Sequence, residues 1–348
     1  MSERFLRNCW YLAAWSDEVA PGTMLARRIA GEPLLLVRGS DGRAVALTDA
    51  CPHRFAPLSR GTCDGTTVTC AYHGLSFGLE GRCVANPHGP LTSALTVPSP
   101  PLVERHQALW TWLGDKPADP SLIPDFSFID RAAPAARVTG HLASPADYRL
   151  MIDNIMDLTH ADYLHAASLG GGINTRASAE VTQEDGTVSI TWTARDDALA
   201  PLHAAALPGC TGRGDMLNRV DWFAPGTMRQ RILLALPGEL ERGGIDSMTC
   251  HVMTPESSGR THYFFCHTSD AVSADPALAP VIREALVAAF AGEDAPMLAA
   301  QTERVAGRDF WSLRPALLPS DKGAVLARRA LDALIANELA QDQAETTS

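Results

Sequence analysis

Two cysteines and two histidines fall in couples within one short stretch, CPHRFAPLSRGTCDGTTVTCAYHG, running from Cys51 to Gly74. The order is Cys51-x-His53, sixteen intervening residues, then Cys70-x2-His73. Thiolates and imidazoles offered in pairs are metal donors, and one tetrahedral zinc would be satisfied by the four. Zinc modules favour C-x2-4-C followed by H-x3-5-H, whereas here each couple mixes a thiol with an imidazole. Mixed couples suit two irons, with both thiolates on one and both imidazoles on the other, so that each loop gives one ligand to each metal. Pro52, Pro57, Gly61 and Gly74 supply the turn chemistry of two tight loops. On spacing alone a zinc-stabilised binding module and a [2Fe-2S] cluster with His ligands both stay open.

A second group lies further along. Asn154, Asp157, His160 and His165 sit on or just after a helix predicted near 145–165. Two histidines five apart on an unbroken helix point about 140° away from each other, so joint ligation requires that helix to distort or end between them. A third ligand must come from elsewhere. In a helix predicted near 278–305, the series Ile282, Leu286, Phe290, Asp294, Leu298 puts a carboxylate on an otherwise apolar stripe. An inward-facing Asp is costly unless paired or bound to metal. Because Pro296 follows two residues later, Asp294 also reads as the N-cap of a restarting helix. Asp157, three residues before His160, lies one turn away on the same side, as an exposed acid or a support for that imidazole.

These groups must be positioned by two kinds of structure. From residue 8 to about 113 the chain reads as short strands with turn punctuation, including a hairpin PLLLVR, turn Gly39–Gly42, RAVALT. The segment GDKPADPSLIP marks a boundary, giving domains 1–118 and 119–348. Beyond it come strand candidates VSITWTAR, QRILLAL, SMTCHVM and HYFFCHT, and a final helix near 322–340 with Leu331, Ile335 and Leu339 on one stripe. The fold class is α+β, an all-β N-terminal domain followed by helices on an antiparallel sheet.

With 29 basic against 40 acidic side chains the net charge is −11, which disfavours nucleic acid or an anionic membrane as partner. The start, MSERFLRNCWYLAAWSDEV, has no clean apolar signal core and no apolar run reaches the ~18 residues a bilayer span needs, so the chain is expected to be cytoplasmic. Eight cysteines then point to ligation and buried thiols, with Cys9, Cys63, Cys83, Cys210, Cys250 and Cys266 as packing residues. No G-x-G-x-x-G follows a strand, and no plant-type ferredoxin run is present, so hydride cannot be taken from a nicotinamide within this chain. A redox role requires a separate electron donor.

The C-x-H-x16-C-x2-H motif at Cys51, His53, Cys70 and His73 resembles the cluster signature of the Rieske non-haem iron oxygenases. Within that family, DYRLMIDNIMDLTHADYLHAASLG resembles the vanillate O-demethylase oxygenases, and CPHRFAPLS with CVANPHG resembles a dicamba-type monooxygenase. The resemblance implies a Rieske domain, a helix-grip (START-like) catalytic domain, and a facial triad of His160, His165 and Asp294 on a mononuclear non-haem Fe(II). It also implies that Asp157 bridges an iron-ligating His of its own subunit to His73 of the next, in a homotrimer, with Asn154 near the iron. Electrons would come from a ferredoxin-type reductase carrying flavin and a 2Fe-2S centre. The expected reaction uses O2 to O-demethylate a small aromatic methyl ether such as a methoxybenzoate. An arene dihydroxylase and an N-demethylase use the same irons. His251, in SMTCHVM, is expected to meet a substrate carboxylate, with Gln230 as a second contact.

Overall fold

A computed structural model describes residues 5–346 of the 348-residue chain. The chain divides into two compact units, one of Arg7–Ile123 and one running from Pro124 onward together with Phe5 and Leu6.

The first unit is built from ten strands: β1 Cys9–Trp15, β2 Met24–Ile29, β3 Glu32–Arg38, β4 Ala44–Thr48, β5 Thr62–Cys63, β6 Thr67–Thr69, β7 Ser76–Gly78, β8 Cys83–Ala85, β9 Leu102–Arg105 and β10 Ala108–Leu113. They form three antiparallel sheets, ordered β1-β10-β9, β2-β3-β4 and β5-β6-β7-β8. The hairpin read from the sequence is β3 and β4, in register from Leu34↔Thr48 to Arg38↔Ala44. Apolar side chains of β3, β4, β6 and β7 close on a core of Leu35, Val37, Leu47, Val68 and Phe77, and Cys51 and Cys70 are part of it. Burying that alternating face drives the small sheets together.

In the second unit seven strands make one antiparallel sheet, ordered β11-β17-β16-β15-β14-β13-β12. They are β11 Val138–Ser144, β12 Ser178–Glu184, β13 Thr187–Ala198, β14 Arg213–Phe223, β15 Thr227–Ala235, β16 Ile245–Ser257 and β17 Arg260–Ser269. One face carries Ile190, Trp192, Val220, Trp222 and Met228, all buried. Packed on it are the helix Tyr148–Met156, which touches β14 and β16, and the long helix Lys322–Thr346, which touches β13. Leu331 and Ile335 of the latter are buried, as their stripe predicts.

The predicted helix near 278–305 differs in its middle. An α-helix Ala279–Val287 gives way to a π-helical segment Ala288–Asp294, then to an α-helix Ala295–Val305. Phe290, Asp294 and Leu298 are buried along it. Asp294 has helical backbone angles and makes no capping bond, so the N-cap reading is corrected. Pro296 falls in the first turn of the following helix, where its missing N–H costs little.

Candidate metal centres

The two Cys-His loops share one backbone plan. Cys51 N donates to Ala56 O at 2.9 Å and Phe55 N to Cys51 O at 2.8 Å; four and five residues after the second cysteine, Gly74 N donates to Cys70 O at 3.0 Å and Cys70 N to Leu75 O at 2.8 Å. The equivalent residues Phe55 and Gly74 both have left-handed backbones, φ 57° and 74°. Glycine adopts that conformation freely and phenylalanine does not, so the sequence signals the second turn and conceals the first. Gly61 is required by close approach, since a Cβ there would lie 1.9 Å from Thr69 O, beside Cys70.

This plan puts both thiols inside and both imidazoles outward. Cys51 and Cys70 are each 2% exposed, and burial with a neighbouring thiol pushes the Cys51 thiol up, Cys70 being its side-chain partner. A buried thiol pair would stay protonated unless a metal replaces the protons. The rings of His53 and His73 lie 4.5 Å apart. The carbonyl of His73 faces Nε2 of His88 at 2.9 Å, and the Tyr72 ring lies 4.1 Å from the His73 ring, tilted against it. Sequence reasoning did not single out His88. A paired-thiol, paired-imidazole donor set fits a His-ligated [2Fe-2S] cluster.

The second group is assembled by a break in the helix. The helix Tyr148–Met156 ends at Asp157, whose side chain accepts from Thr159 N at 3.0 Å and Thr159 Oγ1 at 2.7 Å, capping a short turn Leu158–His160. A one-turn helix Ala161–Leu164 follows, and His165 closes it with non-helical angles. The predicted helix does end, but at Asp157, before His160; the four residues between the two histidines form the one-turn helix that His165 closes, and the His160 and His165 rings stand 5.4 Å apart.

Nε2 of His160 is 3.5 Å and Nε2 of His165 3.2 Å from Asp294 Oδ1. One nitrogen or oxygen from each of the three falls within 4.8 Å of the others. The outward nitrogens are tied down: His160 Nδ1 donates to Asp157 O at 2.6 Å, and His165 Nδ1 meets Glu293 Oε2. Holding Nδ1–H fixes the tautomer whose Nε2 is free to ligate. Asn154 Nδ2 donates to Asp294 Oδ1 at 3.0 Å and lies 3.2 Å from His160 Nε2, while its Oδ1 is buried without a partner. In the absence of metal, Asp294 beside His165 pushes that imidazole up to about 8. Two imidazoles and one carboxylate with convergent donors fit a non-haem iron that keeps open positions.

The carboxylate of Asp157 caps Thr159, and its link to His160 runs through the backbone carbonyl. This corrects the expectation that the carboxylate itself holds the imidazole. Asp157, His160 and Asn154 line a cavity of about 300 Å³ with Leu164, Met297 and Leu317.

His251 and Gln230 come together on the helix-covered face of the sheet. His251 Nε2 donates to Gln230 Oε1 at 3.0 Å, and Tyr263 Oη donates to His251 Nδ1 at 2.8 Å. Gln230 Nε2 in turn donates to Asn218 Oδ1 at 3.0 Å. Burial pushes His251 down to about 3, so the ring is neutral, and both its nitrogens are engaged. The two expected substrate contacts, His251 and Gln230, are thus joined in one hydrogen-bonded chain, Tyr263–His251–Gln230–Asn218. The Tyr263 ring lies 4.1 Å from that of Phe290, tilted against it, in the same π segment as Asp294. Asn218 and Tyr263 were not expected from the sequence, because the register that brings them to Gln230 and His251 is set by long-range strand pairing.

Comparison with known proteins agrees with both centres. The Rieske [2Fe-2S] domain family matches residues 9–98, and the vanillate O-demethylase oxygenase C-terminal domain family matches 144–337. The chain is 37% identical over 342 residues to the oxygenase component of chloroacetanilide N-alkylformylase from Rhizorhabdus wittichii, covering 96% of this chain and 97% of that one. It is 37% identical over 334 residues to the oxygenase component of dicamba O-demethylase from Stenotrophomonas maltophilia, covering 95% and 98%. A crystal structure of dicamba monooxygenase bound to 3,6 dichlorosalicylic acid matches with a TM-score of 0.91 at 36% identity, covering 97% of this chain and 100% of that one. Among the described residues no helix is long and apolar enough to cross a membrane.

Proposed function

This chain belongs to the Rieske non-haem iron oxygenases, with a catalytic unit of the vanillate O-demethylase type, and from that premise we propose that it O-demethylates a small aromatic methyl ether. It is an oxygenase component whose cofactors are a Rieske [2Fe-2S] cluster and a mononuclear non-haem iron, and it depends on a separate electron donor. In our reading that donor is a ferredoxin-type reductase with flavin and a 2Fe-2S centre, and the protein is cytoplasmic. We assign 1–118 to the Rieske domain and 119–348 to the catalytic domain.

Cys51, His53, Cys70 and His73 hold the cluster, and His160, His165 and Asp294 the iron. When bound, the irons supply electron storage and the activation of dioxygen. The reaction balances as ArOCH3 + O2 + two electrons + two protons giving ArOH, formaldehyde and water. The protein orients its ligands through the bonds at both Nδ1 atoms, and Asn154 steadies the Asp294 carboxylate. The Tyr263–His251–Gln230–Asn218 chain offers neutral donors to a polar group on the aromatic ring, placing the methyl toward the triad. The observation that carries this reading is the convergence of two Nε2 atoms and one carboxylate oxygen, each with its orientation fixed.

Electron transfer, in this proposal, joins the cluster of one copy to the iron of the next in a homotrimer, through His73 and the partner subunit's Asp157. A head-to-tail interface of that kind is finite when rotation closes it. Asp157 Oδ2 takes part in no hydrogen bond among the described residues, which suits such a bridge.

N-dealkylation of an anilide is a second reading, favoured by the likeness to the chloroacetanilide enzyme. Dithionite-reduced, iron-loaded protein should be given O2 with methoxybenzoates and, separately, N-alkyl anilides. Formaldehyde with a phenol supports O-demethylation; aldehyde with a secondary anilide supports the second reading. A cis-diol without aldehyde would sink both and leave an arene dihydroxylase.

A further inference from the structure

His165 is addressed by two successive carboxylates. Asp294 Oδ1 lies 3.2 Å from Nε2, and Glu293 Oε2 meets Nδ1 of the same ring. On a regular α-helix neighbouring side chains diverge by about 100°. Residues 293 and 294 end the π segment Ala288–Asp294, whose wider turn lets both reach one imidazole from opposite sides. The ring itself is 3% exposed, and the Glu293 side chain is 43% exposed. An acid that accessible needs no partner for its own sake, whereas a buried Nδ1–H left without an acceptor is destabilising. The need therefore lies with the histidine.

We propose that Glu293 is a positioning residue for the mononuclear iron: it holds the Nδ1 proton of His165 and makes that imidazole the more electron-rich of the two histidine ligands. The contrast is within the site. His160 has its Nδ1–H on a neutral backbone carbonyl, Asp157 O, whereas His165 has a carboxylate. A carboxylate behind a ligating histidine fixes the tautomer and raises ligand basicity. With iron(II), two neutral imidazoles and the Asp294 carboxylate, the first sphere carries one net positive charge, and Glu293 balances it across the ring.

The inference rests on iron binding at His160, His165 and Asp294, and its test separates the two. Purified holoprotein is titrated with a ferrous chelator, and its ferrous site is probed with nitric oxide by low-temperature electron paramagnetic resonance while the Rieske cluster is oxidised. Should wild type hold no iron beyond the cluster, the ligand assignment itself fails. If wild type holds it, Glu293→Ala should weaken iron binding about 10–100-fold and change the nitrosyl line shape, with the reduced Rieske signal unaltered. Glu293→Gln keeps an acceptor oxygen and should fall between; it also carries the test if the alanine variant does not fold. Wild-type iron affinity and line shape in either folded variant would overturn the proposal.

Discussion

The side-chain nitrogen of Asn154 bridges two members of the metal group, 3.0 Å from Asp294 Oδ1 and 3.2 Å from His160 Nε2. It comes from the helix Tyr148–Met156 and reaches a carboxylate 140 residues away, so it fixes the distance between two elements as well as the orientation of one ligand. A hydrogen bond to a charged acceptor contributes about 1.5–3 kcal/mol. Asn154→Ala should therefore lower turnover about tenfold to a hundredfold while the chain keeps its cluster colour. Turnover equal to wild type, at equal iron content, would remove Asn154 from the site.

Iron counting separates the two centres. His73→Ala takes away an imidazole ligand in the first unit and should abolish the Rieske signal of the reduced protein. Asp294→Ala should leave that signal intact and lower the iron content from three per chain to about two, because its donors lie among His160 and His165 of the second unit. Retention of the third iron in Asp294→Ala would mean that the carboxylate does not ligate.

Much of this was readable from the sequence, for reasons that differ by residue. The Cys-His couples are local, since each loop is closed by hydrogen bonds within six residues, and turn formers mark them. Phe55 escaped because its left-handed backbone, φ 57°, has no sequence signal. That the helix could not run unbroken through both His160 and His165 followed from helix geometry, but its end at Asp157, ahead of His160, did not. Asp294 stood out as a carboxylate on an apolar stripe, while the contact of Glu293 with His165 depends on the π segment, which the apolar spacing does not signal. Asn218 and Tyr263 needed the strand register, Asn218↔Ile232 and Met253↔Tyr263, which long-range pairing decides.

Acid should weaken the second unit through three imidazoles, one buried and two half-buried, that desolvation holds neutral. Burial pushes His203 to about 4, His251 to about 3 and His267 to about 4, so each is neutral in the fold and takes up a proton on unfolding once the pH falls below about 6.5. The unfolded chain then binds more protons, and stability drops as pH falls from about 6.5 toward 4, by up to ~1.4 kcal/mol per pH unit for each group. His267→Asn can keep the bond that Thr249 Oγ1 makes to Nδ1 at 2.9 Å while removing the titration. Urea unfolding between pH 5 and 6 should show a slope smaller by about 1.4 kcal/mol per pH unit in the variant. Equal slopes would show that His267 is not held neutral.

The polar chain on the sheet face should act on binding. His251→Ala removes the link between Tyr263 and Gln230, and with it the fixed direction of the Gln230 amide. A contact made equally in ground and transition states raises KM and leaves kcat nearly alone. KM for a carboxylated or amide substrate should rise about tenfold or more, and Tyr263→Phe, which only frees His251 Nδ1, should raise it less. A kcat loss without a KM change in both variants would place the chain outside substrate recognition.

The intersubunit route makes the most demanding prediction. Asp157 spends Oδ1 on Thr159, which seats the turn carrying His160, and Oδ2 faces no donor of the described residues. Asp157→Asn can keep an oxygen for Thr159 while removing the charge that would hold a neighbouring imidazole, so the turn, both metal centres and the oligomer should persist. What should fail is delivery of the electron: turnover falls by a large factor, and the cluster stays reduced in the presence of substrate and O2. A His160→Ala chain lacks an iron ligand yet has an intact cluster. Mixed with Asp157→Asn chains it should form hybrids of two defective kinds, and the mixture stays inactive if the cluster of one chain must pass through Asp157 of the iron-bearing neighbour. Mixed with wild type, His160→Ala chains should instead donate to wild-type iron sites and keep those sites turning over. An active monomer in sedimentation, or wild-type turnover in Asp157→Asn, would mean that electrons travel by another path.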